Sequence, residues 1–440
     1  MTPQTPRKHL SADNLVRLVR SELKHVPDHR KEPKVPLVDA LMGGFALFAL
    51  KSASLLAYDE YARSNGFNLA ALFGIQRTLS DTQMRANLDP VDPLSLRPAF
   101  TSVFRQLQRG KALESFVFWQ GHFLVASDGT TYHSSDKIHC SCCLEKKSRN
   151  GVVTYYHQLL GLALVHPDHK EVIPLCPEPI VKQDGSTKND GERSATRRAL
   201  AHFRREHPHL KVIFVEDALS ANAPHVQDLK AANVRFLLGV KPGSHAYLFE
   251  HMQRAHEEGR TQVLTVVDAD DTLHHYRWLQ KVALNQSHAD LEVTMLEYWE
   301  IPPHGSKTPM RHFSWVTDLQ FDEQSVEHLA RGGRARWRIE NETFNTLKNQ
   351  GYHFEHNFGH GEKNLSVVLA FLMMLAFLVD QAQQLCDPLF QAVLNKLGRK
   401  CRLWERMRHV FHCFRLESIR HLYELLLSFQ LVEPPTVPSG

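Results

Sequence analysis

The chain has 440 residues, too many for one small core and enough for two or three domains. Its 42% apolar and 23% charged residues exclude a fibrous or disordered chain, and a formal charge of only +4 permits a polyanionic partner without demanding one. Seven cysteines, an odd number with no apolar leader ahead of them, point to a reducing cytoplasmic setting and away from a disulfide framework.

Residues 1–115 read as helical, with apolar spacing at Leu15, Val16, Leu18 and Val19 and again at Leu37, Val38, Ala40 and Leu41. A break falls at Asp89-Pro90-Val91-Asp92-Pro93. Arg17, Arg20, Lys24, Arg30, Lys31 and Lys34 lie on these segments, and two readings fit them equally: a DNA-binding module that neutralises phosphates, or a solvated helix face.

Over 116–240 the pattern changes to short apolar strands. Val117-Phe118-Trp119 and Phe123-Leu124-Val125-Ala126 form a hairpin around Gln120-Gly121-His122, followed by strands over 158–165 and 173–175. A helix is expected from about Asp190 to Glu206, a strand ending at Asp217, a helix over 224–232 and a strand over 235–240. Residues 241–325 read as a β-rich insertion or a continuation of the sheet. Helix returns over 326–380 and 381–440, ending in a proline-rich tail at 434–440. The apolar run from Leu365 to Val379 is short of the roughly 20 residues a bilayer needs, so a buried core helix is expected.

Three acidic residues carry the chemistry. Asp128 closes the apolar run 123–127 and Asp217 closes the run 212–216, each at an expected strand-to-loop edge, where an open sheet gathers ligand groups. Glu340 lies on an expected amphipathic helix over 331–351 that buries Trp337, Ile339, Phe344 and Leu347. Arg336 shares its face at i and i+4, so the guanidinium either orients the carboxylate or holds a phosphate. Capping and surface ion pairing explain each residue alone. Together, three carboxylates suit hard divalent cations able to clamp the attacking and leaving oxygens of a phosphodiester.

The segments Leu124-Val125-Ala126-Ser127-Asp128-Gly129-Thr130, Val215-Glu216-Asp217-Ala218 and Arg336-Trp337-Arg338-Ile339-Glu340-Asn341-Glu342 resemble a DDE transposase of the bacterial insertion-sequence type. So do Tyr155-Tyr156-His157-Gln158 and the block 352–361. The resemblance implies a ribonuclease H-like mixed-sheet core with a helical N-terminal domain, a β-rich insertion and a helical C-terminal region. It implies Asp128, Asp217 and Glu340 as catalytic metal ligands, with Mg²⁺ as cofactor and Mn²⁺ as its substitute.

It further implies DNA ends and target DNA as partners, a homodimer in the DNA complex, no membrane, and a cytoplasmic, nucleoid-associated location. Arg336 matches the arginine of a Tyr-Arg-Glu-Lys signature, but the tyrosine's place is taken by Gly333. The lysine is expected seven residues after the glutamate, whereas Lys348 lies eight after, about 80° round an ideal α-helix from Glu340. Lys348 as a DNA contact and Glu342 as an alternative third ligand therefore stay open. Two alternatives to transposition remain, a structure-specific nuclease and a catalytically inactive DNA-binding derivative.

Four further features have competing readings. Cys140 and Cys143 have half the spacing of a zinc knuckle, with His133 and His139 nearby and Cys176 far off, against a plain thiol cluster. Tyr276, Trp278, Tyr298, Trp299 and Trp315 alternate as core residues do, and Trp278 is the candidate among them for stacking on an unpaired base. Asn222 and Asp190 are candidate neighbours of the site or ordinary cap and loop residues, and Asp268, Asp270 and Asp271 form an acidic turn that either caps strands or binds a cation.

Overall fold

The computed structural model describes residues 8–182, 191–304, 306 and 309–428. The expected helix start at Asp190 and the tail at 434–440 lie outside the described residues. In chain order come helices α1 (Ala12–Leu23), α2 (Leu37–Ala49), α3 (Leu55–Ser64), α4 (Gly66–Phe73), α5 (Asp81–Leu88) and α6 (Arg97–Arg109). Strands β1 (Val117–Trp119), β2 (His122–Ser135), β3 (Leu144–Lys147), β4 (Val153–Val165), β5 (Ile173–Pro174) and β6 (Glu178–Ile180) follow.

Helix α7 (Glu192–Glu206), β7 (Val212–Glu216), α8 (Ala223–Ala231), β8 (Arg235–Gly239) and α9 (Ala246–Glu257) alternate next. Strands β9 (Gln262–Val267), β10 (Leu273–Asn285), β11 (His288–Ile301) and β12 (Arg311–Thr317) precede α10 (Val326–Arg334), a π-helical turn (Ile339–Phe344) and α11 (Asn345–Asn349). Helices α12 (Leu365–Cys386), α13 (Pro388–Leu397), α14 (Lys400–Cys413) and α15 (Ile419–Ser428) close the described chain. It divides into two compact units, Met1–Ala112 with Thr346–Gly440, and Leu113–Asn345.

The first unit is helical. α2 and α12 are apolar nearly all round and form its centre. They cross closely because Gly44 has no side chain: a Cβ there would lie 2.7 Å from Leu372 Cδ1. α12 is 22 residues long, enough by length and composition to cross a bilayer, but its apolar window is wholly buried in this unit. It outruns the expected end at Val379 because its polar residues find buried partners. Lys51 Nζ lies 2.6 Å from Asp380 Oδ2, Tyr352 donates to the same oxygen at 2.5 Å, and Tyr423 donates to Gln383 Oε1 at 2.6 Å. At its start, the Asp89 carboxylate accepts from the amides of Glu362, Lys363 and Leu365. Gly361, at φ +67°, leaves room for that carboxylate, which a Cβ would meet at 2.2 Å.

In the second unit the strands form one mixed sheet in the order β3-β4-β2-β7-β8-β12-β11-β10-β9, with β1 beside β2, and β5 and β6 beside β4. β2, β7 and β8 run parallel, and the other pairs are antiparallel. All of Val212–Glu216 is buried, as a near-continuous apolar strand covered on both faces must be. Gln120 and Gly121, at φ 46° and 82°, make the two-residue turn between β1 and β2. β9–β12 continue the sheet outward from β8 through β12. That stretch, read from sequence as a β-rich insertion or a continuation of the sheet with its first strand at Thr261, opens with helix α9, whose buried Leu248, Met252 and Ala255 recur at helical spacing.

Removing one charge from the Lys51–Asp380 pair leaves the other buried alone. Lys51→Met is expected to cost about 3–5 kcal/mol, and adding Asp380→Asn to recover much of it, read as urea midpoints. Equal midpoints for wild type and Lys51→Met would contradict this role.

Candidate active site

Asp128 lies inside β2, not at its end as the sequence suggests. β2 runs on to Ser135 because β4 pairs with it as far as Ser135↔Tyr155, whereas the parallel partner β7 stops pairing at Ala126↔Val215. Asp128 is thus two residues past the end of the β2–β7 ladder, at the point where the sheet opens on that side. Asp217 follows the last residue of β7 directly. Each carboxylate is steadied by a nearby amide: Gly129 N donates to Asp128 Oδ1 at 3.0 Å, and Leu219 N donates to Asp217 Oδ1 at 2.9 Å.

Glu340 arrives on the π-helical turn, where the sequence reading expects an unbroken α-helix. That turn packs on β4 at Gly161, the residue paired with Asp128 across the ladder. A Cβ on Gly161 would lie 2.8 Å from the Phe344 ring, so the missing side chain lets the turn sit down on the sheet. Arg336 then bridges two of the acids, with Nη1 3.3 Å from Asp128 Oδ2 and 2.9 Å from Glu340 Oε1. Burial raises the Asp128 carboxyl, the Arg336 charge opposes, and Glu340 and Asp217 push it further, to about 7. Glu342 pairs with Arg338 at 3.4 Å. Of the two glutamates, Glu340 is the one that Arg336 ties to Asp128.

The donor set fits a hard divalent cation: carboxylate oxygens only, crowded where burial and mutual repulsion leave negative charge poorly compensated. The family described as Transposase DDE domain matches residues 145–378, just over half of the chain. The chain belongs to the transposase DDE domain family. No curated protein matches it. The matched stretch holds Asp217, Arg336 and Glu340 and begins after Asp128. The mixed α/β sheet of this DDE transposase is the ribonuclease H-like architecture of such proteins.

The signature's tyrosine has no room in this transposase, because a Cβ on Gly333 would lie 2.4 Å from the Trp315 indole. Lys348 pairs with Glu355 at 2.8 Å, and its angular offset from Glu340, reckoned for a regular α-helix, does not hold across a π-helical turn. Trp278 is only 1% exposed and packs on Phe321, so it offers no face to a base. Trp337, expected in the core, is instead 50% exposed, with the Arg336 guanidinium over its ring at 5.0 Å. Asn222 caps α8, accepting from His225 N at 3.2 Å, and Asp190 lies outside the described residues. His139 stacks on Tyr155 and does not join Cys140 and Cys143, where His157 stands instead.

Two acidic residues escaped the sequence reading. Glu192, in the first turn of α7, lies over Gly129, where a Cβ would meet its Oε1. Its carboxyl is raised by burial and by Asp217, and a cavity of about 610 Å³ beside it is lined by Asp128, Asp217 and His225. Glu216 is buried under the site, accepting from Ser127 Oγ at 2.5 Å and paired with His225 Nε2 at 2.5 Å. Nothing local distinguishes either from an ordinary surface glutamate.

Burial alone would lower the His225 imidazole, but the Glu216 charge and hydrogen bond outweigh it and hold it above its usual 6.5. A raised histidine stabilises the fold fully below its unfolded-state value and loses that contribution as pH climbs through the folded-state one. His225→Gln is therefore expected to lose less stability than wild type between pH 6 and pH 8 in urea titrations. Identical pH profiles would contradict the pairing.

Proposed function

We propose that this transposase cuts DNA at the ends of an insertion sequence and joins those ends to target DNA, with Asp128, Asp217 and Glu340 holding the divalent cations. The observation that carries this reading is the Arg336 bridge between Asp128 and Glu340, with the Asp217 charge near enough to raise the Asp128 carboxyl. In the first step water breaks a P–O3′ bond at the transposon end and frees a 3′-hydroxyl. In the second that hydroxyl attacks a target phosphodiester, forming a new P–O bond and releasing a target 3′-hydroxyl. Mg²⁺, with Mn²⁺ as substitute, would supply Lewis-acid activation of the nucleophile and charge for the leaving oxygen.

The chain's own residues position the DNA. Arg336, which bridges two of the acids, would hold the scissile phosphate beside them. A cavity of about 670 Å³ lies along the same turn, lined by Arg311, Arg331, Arg334 and Arg338 with Phe313 and Trp337. Forked guanidinium groups suit phosphates, which would displace the side chains of Glu300, Asp168 and Glu342 that pair with these arginines, and the exposed Trp337 ring suits a base, the role its buried counterpart Trp278 cannot take. In the first unit Arg17, Lys24, Lys31 and Lys34 are exposed and suit backbone contact, whereas Arg20 and Arg30 are tied to Asp39 and Asp28. Two copies, one per transposon end, would hold the paired ends.

The test is Mg²⁺-dependent cleavage of inverted repeats flanking the gene by purified protein, followed by strand transfer from pre-cleaved ends. Asp128→Asn, Asp217→Asn and Glu340→Gln are each expected to lose cleavage by a factor of about 10² or more while still binding DNA. Full cleavage in any of them would overturn the assignment of that residue. Cleavage without strand transfer would support a nuclease instead, and binding with no cleavage in wild type an inactive derivative.

Gly161→Ala tests how Glu340 is placed. The new methyl would push Phe344 off the sheet and Glu340 with it, and displacement on the order of 1 Å is expected to slow cleavage by about 10²-fold without abolishing DNA binding. Wild-type cleavage would show that the close packing at Gly161 does not position Glu340.

A further inference from the structure

We propose that Cys140, Cys143 and His157 bind a structural Zn²⁺ that ties the loop between β2 and β3 to strand β4. Cys140 Sγ lies 3.8 Å from Cys143 Sγ and 3.3 Å from His157 Nε2, and Cys143 Sγ lies 3.4 Å from the same nitrogen. With Zn–S of about 2.3 Å and Zn–N of about 2.0–2.1 Å, a tetrahedral ion separates two sulfurs by about 3.8 Å and a sulfur from a nitrogen by about 3.6 Å. The three spacings are therefore close to the edges of one zinc tetrahedron. The sulfurs are far beyond the roughly 2.05 Å of a disulfide.

The surroundings suit a structural ion. Cys143 and His157 are buried and Cys140 is half-buried, so the donors are shielded from water. Two thiolates and a neutral imidazole are borderline-soft ligands that suit Zn²⁺ and suit Mg²⁺ poorly, which separates this place chemically from the carboxylates around Asp128. The loop is folded as a knuckle: Cys143 N donates to Cys140 O at 3.2 Å, and Cys140 N donates to Cys143 Sγ at 3.4 Å, an outer bond of the kind that steadies a thiolate ligand.

The place in the sheet gives the ion a purpose. His157 is paired with His133 on β2, five residues beyond Asp128, where β2 and β4 have run past their parallel neighbour β7. Zinc bound there would hold the long arm of the β2–β4 ladder, and with it the strand that carries Asp128. The proposal stands on these donors and does not depend on the chemistry assigned to Asp128, Asp217 and Glu340.

The test is the metal content of the full chain, produced in zinc-supplemented medium and purified under reducing conditions without chelator. About one zinc per chain is expected, with Cys142→Ser retaining it and Cys140→Ser and His157→Gln losing most of it. X-ray absorption of the wild-type protein avoids any folding defect of the variants and is expected to show two sulfurs at about 2.3 Å and at least one nitrogen at about 2.0–2.1 Å. Refilling with Co²⁺ should give sulfur-to-metal charge-transfer bands. Folded wild-type protein with less than about a tenth of a zinc per chain, an oxygen- and nitrogen-only shell, or a Cys140–Cys143 disulfide in freshly isolated protein would each overturn the proposal.

Discussion

Like charge crowded into one half-buried place is the constraint around which the second unit is organised. Glu340 and Asp217 both repel the charge of Asp128, and burial adds to the cost of keeping it ionised. Arg336, between Asp128 and Glu340, offsets part of that repulsion. The rest is held by covalent position: two acids belong to adjacent parallel strands and cannot separate without breaking the β2–β7 ladder. Crowded carboxylate oxygens of this kind suit the small hard cations proposed for the site.

The third acid depends on a different device. The chain after α10 widens into a π-helical turn, and such turns shift the angular positions of the residues that follow them. In this transposase the turn rests on Gly161 through Phe344, directly across the ladder from Asp128. Glycine at 161 therefore acts at a distance from its own chemistry, by deciding how near the helix carrying Glu340 approaches the sheet. Gly332 and Gly333 do the same for α10, where the Phe118 and Trp315 rings occupy the space of any side chain.

The residue types of the site were legible where local pattern decides them. Apolar runs ending in Asp128 and Asp217, and an Arg–Glu pair at i and i+4, are short-range signals that survive in a single sequence. The end of β2 was not, because its extension to Ser135 is decided by the remote partner β4. For the same reason His139 looked like the natural companion of Cys140 and Cys143, whereas His157 is brought to them by strand register. The π-helical turn left no trace in the periodicity, since one added residue in a short helix resembles noise. Trp278 is buried as its strand alternation suggests, whereas Trp337 is exposed where the core was expected, because helical spacing says which residues share a face and not which face meets solvent. Glu192 and Glu216 meet their partners, Asp217 for the one and Ser127 and His225 for the other, only through the fold, which no local pattern encodes.

The most direct test of a shared cation centre is anomalous scattering from crystals grown with Mn²⁺. The account predicts a peak within coordination distance of carboxylate oxygens from both Asp128 and Asp217, with Glu340 in the first or second shell, and its loss in Asp128→Asn. Mn²⁺ ordered only elsewhere, or a peak that persists unchanged in Asp128→Asn, would contradict it.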